Sequence, residues 1–249
     1  NKNNNVNRLY SLFCLAVAVW SYGYYFWQIS NNHDGAIFWL RFLMTGAIFI
    51  PITYFHFTFY FLELNKTKIS IYLGYILSLF FLALNFTQFF IKNLVKKLEF
   101  NFWPEPGEAF HFFLLFFAAY IIYSWYLMSN KIDESTGIKR EQIKYILTAT
   151  FIGFIGGSTN YFLWYNIPIL PYGNILITVY AGLIAYAILR YRLMDIKLFF
   201  GRGAVYFFSL TTAIGIAFLL MILNDFYKLL DFKTAAPLSV SRPGSPGPA

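Results

Sequence analysis

Seven apolar runs, each near or above the length that crosses a bilayer, constrain this chain more than any other feature. They are Leu9–Ile29, Ile37–Leu62, Ile69–Ile91, Phe110–Met128, Ile143–Tyr165, Asn174–Arg190 and Ala204–Leu223. A helix needs about 20 such residues to cross a hydrocarbon core of about 30 Å. Continuous runs of this length satisfy their own backbone in lipid only as helices. They also exclude an outer-membrane barrel, whose strands are about ten residues of alternating character. Composition agrees: 59% of the 249 residues are hydrophobic and 12% are charged, against about 25% charged in a soluble domain. A water-soluble globule has too little polar surface to hide so much apolar area. The expected fold is all-α: a polytopic membrane helix bundle of about seven transmembrane helices.

Charge sets the expected orientation, because cytoplasmic loops hold an excess of Lys and Arg. With the N-terminus inside, the inner segments carry Lys2, Arg8, Lys66, Lys68, Lys131, Lys139, Arg140, Lys144, Arg190, Arg192, Lys197 and Arg202. The outer side receives Arg41, Lys92, Lys96, Lys97, Lys228, Lys233 and Arg242. Trp27, Trp39, Trp103 and Trp164 fall at the outer ends and are expected to form an interfacial belt. The bases form no dense patch, so no nucleic-acid partner is expected. Cys14, the single cysteine, builds neither a disulfide framework nor a thiolate metal site. The long connections are the outer Lys92–Ala109 and the inner Ser129–Gln142. Asn65-Lys66-Thr67 matches a glycosylation acceptor, but on the side assigned to the cytoplasm. The chain opens at Asn1 rather than Met and is expected to be a fragment or a processed product. From Thr234 onward Pro, Gly, Ser and Ala replace the aromatic and aliphatic body; 234–249 is expected to be disordered or artefactual.

No phosphate-binding glycine loop, zinc-type spacing or nucleophile elbow stands in the sequence. No cofactor and no catalytic residue is expected, and attention falls on polar groups within apolar runs, which are expensive in lipid. Arg41 is a candidate to coordinate an anion, to pair with Asp34, or simply to snorkel to the headgroups. His56 is either a pH-sensitive group or a hydrogen-bonded contact between helices. Asn85 and Gln88, spaced one helical turn apart, and the polar step Ser158-Thr159-Asn160 either line a ligand cavity or glue helices together. Gly153-x-x-x-Gly157 and Ala181-x-x-x-Ala185 offer small faces for close packing. Glu108 and His111 have a spacing that suits a metal on a helix, without a matching pair elsewhere; a solvated loop is the default.

The strongest run is Ile184-Ala-Tyr-Ala-Ile-Leu-Arg-Tyr-Arg-Leu-Met-Asp195-Ile196. It resembles the end of the seven-transmembrane N-terminal sensor region of bacterial histidine kinases, where a helix of this kind leaves the membrane toward signalling domains. Further stretches resemble that family in order: Ala18-Val19-Trp20 with Gly23-Tyr24; Arg41-Phe42-Leu43 with Pro51 and His56-Phe57; Thr136-Gly137-Ile138 with Arg140, Gln142 and Tyr145; and Gly156-Gly157 with Asn160, Ile167-Pro168 and Gly173. The resemblance covers about residues 5–197, with the first run here aligning to the family's second helix, so the family's first is expected to be missing. It implies a sensor domain over 1–197 with six spans present. The segment 198–233 departs from the family and is expected to hold an additional transmembrane helix and juxtamembrane segment, followed by the tail.

The implied function is a membrane sensory domain of a histidine-kinase-type receptor, multi-pass in the inner (cytoplasmic) membrane. It would relay a small-molecule or membrane stimulus through helix rearrangement to a cytoplasmic kinase or other signalling module in cis, absent from this chain. Arg190, Arg192 and Asp195 are the candidate signal-exit residues, at the height of anionic headgroups. The expected partners are the bilayer and a second copy in a homodimer. The rival expectation is a small transporter or permease, which would call for paired broken helices in two similar halves and charges at the midplane.

Overall fold

The computed structural model describes residues 2–64 and 68–191. The elements are α1 (Lys2–Gln28), α2 (His33–Phe61), α3 (Ile69–Leu84), β1 (Ile91–Lys97), β2 (Phe100–Pro106), α4 (Glu108–Glu134), α5 (Gly137–Ser158), the short α6 (Asn160–Trp164), a 3₁₀ turn at Tyr172–Asn174, and α7 (Ile175–Tyr191). Among the described residues five helical segments are long and apolar enough to cross a membrane: Asn5–Gln28, His33–Phe61, Glu108–Glu134, Gly137–Trp164 and Tyr172–Tyr191. The all-α membrane bundle read from the sequence is the fold. The run Ala204–Leu223 and the proposed boundary at 197 lie outside the described residues.

Helix α2 is the centre. It packs against α1, α3 and α4, while α5 packs against α4 and α7. Leu40, Met44, Ile48 and Ile52 share one face of α2 and are at most 1% exposed; Pro51 to Phe55 are buried without a break. A helix that is apolar all round belongs inside a bundle. Its start is fixed by the Asn32 side chain, which accepts from the Gly35 N–H at 2.7 Å, and by Asp34 in the first turn, both favourable at a helix N-terminus. At its other end Lys139 Nζ donates to the Phe61 carbonyl at 2.7 Å and lies 3.7 Å from the Phe61 ring centre. A cation there answers the negative end of the helix dipole. The α1–α2 crossing is close because Gly46 lacks a side chain: a Cβ there would sit 2.5 Å from the Trp20 nitrogen.

Two expectations are corrected. The third run does not extend helically to Ile91: α3 stops at Leu84 with Asn85 as its C-cap. Its 16 residues rise about 24 Å, short of the hydrocarbon thickness. The outer segment is not a plain loop either, since residues 91–106 form an antiparallel hairpin that pairs Leu94 with Pro104, Val95 with Trp103 and Lys97 with Phe100. Leu98 takes the left-handed conformation, φ 52°, at its tip. Pro104 and Pro106 lie in β2, which is tolerated because a two-stranded sheet consists of edges. Of the four tryptophans at the expected outer ends, Trp27, Trp103 and Trp164 are at most 4% exposed and Trp39 is half-buried, so their rings pack within the protein.

Candidate functional site

The break between α5 and α6 and the 3₁₀ turn before α7 face one another. Three residues carry the junction. The Asn160 Nδ2 donates to Gly157 O at 2.9 Å and to Asn174 Oδ1 at 2.7 Å, and Asn174 Nδ2 returns a bond to Asn160 Oδ1 at 3.3 Å. The Tyr24 side chain of α1 lies beside the Asn174 side chain. Close approach of α5 and α7 depends on Gly156, where an added Cβ would meet the Gly173 carbonyl and lie 2.7 Å from Leu176 Cβ. A Cβ on Gly153 would lie 2.9 Å from the Tyr180 side chain. Gly157, the expected partner of Gly153 in a small-residue face, has only the Ile177 tip within ordinary contact. Gly156 is therefore the tight position.

Beneath this junction lies a partly open cavity of about 80 Å³. α1 contributes Trp20 and Tyr24, α2 contributes Leu43 and Met44, and α7 contributes Ile177 and Tyr180. The α5–α6 wall carries the polar side chains Thr150, Ser158 and Asn160. Among the described residues no charged side chain lines it. Thr150 continues inward to a buried polar contact: its oxygen lies 2.8 Å from the Tyr54 hydroxyl, while its own proton goes to Ile146 O at 2.7 Å.

The hairpin is fastened to two residues that line this cavity. Trp27 Nε1 donates to Phe102 O at 2.9 Å, and the Trp27 and Trp103 ring centres are 4.8 Å apart. Lys97 donates to three carbonyls, Trp164 O at 2.9 Å, Leu163 O at 3.0 Å and Pro104 O at 3.2 Å, and is 7% exposed. Its ammonium thus occupies the C-terminal end of α6, where carbonyls lack helical partners. Burial pushes the Lys97 ammonium below its ordinary range, and the Glu105 carboxylate opposes that shift.

The residues singled out in the sequence are dispersed rather than gathered. Asn160 lines the cavity and also ties α6 to the start of α7. His56 makes the interhelical contact, Nδ1 to the Tyr75 hydroxyl at 2.9 Å. Arg41 does not meet Asp34: among the described residues no ion pair joins them, and Asp34 is exposed beside His33 Nδ1 at 3.6 Å. Instead the Arg41 carbonyl accepts from Asn85 Nδ2 at 2.8 Å, and Arg41 Nε and Asn85 Oδ1 are each buried without a hydrogen-bond partner. Gln88 is exposed in the turn beyond α3, so the helical pairing expected with Asn85 is lost where the helix ends. His111 bonds the Tyr165 hydroxyl at 2.6 Å, and no group of three metal-ligating side chains occurs among the described residues. Ala181 and Ala185 point outward, while Ile184 and Ala187 form the buried face of α7. Arg190 is exposed in the last turn of α7; Arg192 and Asp195 lie outside the described residues. Sequence reasoning missed Tyr24, Tyr54, Thr150, Asn174 and the role of Lys97. The one available signal was Asn174, polar at the head of an apolar run just after Pro168 and Pro171.

Neither the curated proteins nor the solved structures contain a match to this chain. The family model described as the N-terminal 7TM region of histidine kinase matches residues 1–197, the stretch that holds the bundle, the cavity and α7. On that match this chain belongs to the N-terminal seven-transmembrane region of histidine kinases.

Proposed function

We propose that this chain senses a stimulus within the membrane and relays it through α7 to a cytoplasmic kinase, or another signalling module, in cis. The reading places it in the inner membrane with its N-terminus in the cytoplasm and assembles it as a homodimer. One observation carries it: α7, the helix that leads out of the bundle, supplies Ile177 and Tyr180 to the cavity wall. Whatever changes the cavity therefore acts directly on the helix connected to the output. A stimulus shifts such a two-state element only through different affinity for its two arrangements. The junction through Gly156, Asn160 and Asn174 is where the arrangements would differ, since it joins α7 to α5 by contacts rather than by a continuous helix.

The test uses the full-length receptor in proteoliposomes. Gly156→Val places a branched side chain between α5 and the start of α7. Basal autophosphorylation is expected to change by about ten-fold, because overpacking of a tight contact costs about 1–3 kcal/mol. A variant that inserts normally and signals with unchanged basal and stimulated levels would overturn the relay.

A further inference from the structure

The polar wall of the cavity is chemically one-sided. Ser158 gives its hydroxyl proton to Phe154 O at 2.7 Å, and Thr150 gives its proton to Ile146 O at 2.7 Å. Both amide protons of Asn160 are taken, by Gly157 O and Asn174 Oδ1. A hydroxyl has one proton and two lone pairs, and an amide oxygen has two lone pairs. Ser158 Oγ therefore keeps accepting capacity, and so do Thr150 Oγ beyond the Tyr54 contact and Asn160 Oδ1 beyond the Asn174 contact. On this wall the unspent groups are acceptors. The remaining walls are mainly aromatic and aliphatic, with the hydroxyls of Tyr24, Tyr161 and Tyr180 as their polar tips, and no charged side chain among the described residues is present to neutralise an ion. An ion would lose its hydration here with nothing to replace it.

We infer that this cavity is a binding site for a small, neutral, largely apolar molecule that carries a single hydrogen-bond donor, a phenol-type hydroxyl or an N–H. Its size sets the upper limit. The 80 Å³ cavity is about half the roughly 150 Å³ of an apolar cavity that admits benzene, so the occupant is at most one ring, with an edge in the opening. The aromatic side chains of Trp20, Tyr24 and Tyr180 line the cavity and suit a flat partner, and the donor reaches the Thr150–Ser158 side. This inference names the ligand class for the sensing site proposed above and rests on that reading for its physiological meaning, but not for the binding itself.

The experiment uses the purified chain in lipid nanodiscs and two probes of nearly equal shape, 4-fluorophenol and 1,4-difluorobenzene, followed by fluorine NMR against empty nanodiscs of the same lipid. They differ by one hydroxyl. After correction for partition into lipid, 4-fluorophenol is expected to bind about five-fold more tightly, the worth of one net hydrogen bond. Ser158→Ala or Thr150→Val is expected to remove that preference while leaving the binding of difluorobenzene intact. Val17→Phe, which fills the cavity from α1, is expected to abolish saturable binding of both. Should Val17→Phe fail to fold, the Ser158 and Thr150 variants decide the matter alone. Equal binding of the two probes, a preference that survives both polar substitutions, or the absence of saturable binding above empty nanodiscs would each overturn the assignment. None of these outcomes touches the Gly156→Val signalling test, so failure of the ligand class and failure of the receptor reading are told apart.

Discussion

At the scale of single residues, Lys97 is held by three carbonyls and joins the hairpin to the end of α6. Lys97→Met retains much of the volume but leaves those carbonyls without the ammonium. Hydrogen bonds to charged groups contribute about 1.5–3 kcal/mol, so a loss of about 2–3 kcal/mol is expected in thermal unfolding of the purified protein. The pH dependence has a definite sign. The folded-state pKa of Lys97 is lowered from 10.5, so between the lowered value and 10.5 the unfolded state binds more protons and stability rises with pH. The difference in stability between wild type and Lys97→Met, measured across that alkaline window, should carry this slope; a flat difference would remove Lys97 as its source. A second residue-scale prediction concerns Arg190 and Arg192. Each base beside anionic headgroups is worth about 1 kcal/mol, so Arg190→Gln with Arg192→Gln should shift the basal output of the full-length receptor by about 5- to 30-fold without loss of insertion. If insertion is normal and output matches the parent, the arginines are topology anchors and nothing more. Asn160 was legible in the sequence because an amide within an apolar run has few cheap explanations. Lys97 was not legible, because among Lys92, Lys96 and Lys97 nothing in a linear chain marks the one that turns inward.

The hairpin is the element whose form the sequence concealed. The apolar run continued to Ile91, and two prolines in the second strand argued against a strand. Only docking on Trp27 and α6 makes the pairing worthwhile, since an isolated hairpin is marginal in water. Replacing residues 92–105 with a short Gly-Ser turn should therefore lower the melting temperature, and should alter the stimulated output because Trp27 and Trp164 lose their cover. A replaced protein that melts and responds like the parent would show that the cap takes no part in sensing. The early end of α3 follows from the same cause: once Asn85 bonds the Arg41 carbonyl and Phe90 is buried against the bundle, the chain has turned out of the helical path.

Across the whole molecule, the hairpin and the connection after α4 lie at opposite ends of a 27-residue helix, about 40 Å apart by helical rise. The charge bias assigns the hairpin end to the outside. In a Cys14→Ser background, an impermeant thiol reagent applied to intact cells should modify Glu99→Cys and spare Ser135→Cys. The reverse labelling would invert the orientation and put Lys139, Lys144 and α7's exit on the wrong side for a cytoplasmic output. The rival transporter reading needed two similar halves with broken helices at the midplane. Among the described residues the break falls between α5 and α6, at the hairpin end, with no counterpart in the first half.

By itself the sequence determined the solvent, five helices long enough to cross it and, through its ordered motifs, the family. The reason is that span length and charge asymmetry are read against the bilayer, an environment that every such chain shares. The tertiary structure alone decided which face of each helix is inside. In lipid the outward face is as apolar as the core, so the contrast that marks a buried face in a soluble helix fades. On α7 Ile184 is buried while Ile175 and Leu189 are exposed, and no difference in residue type tells them apart. For that reason the cavity, the Asn160–Asn174 junction and the inward turn of Lys97 exist only once the helices have chosen their neighbours.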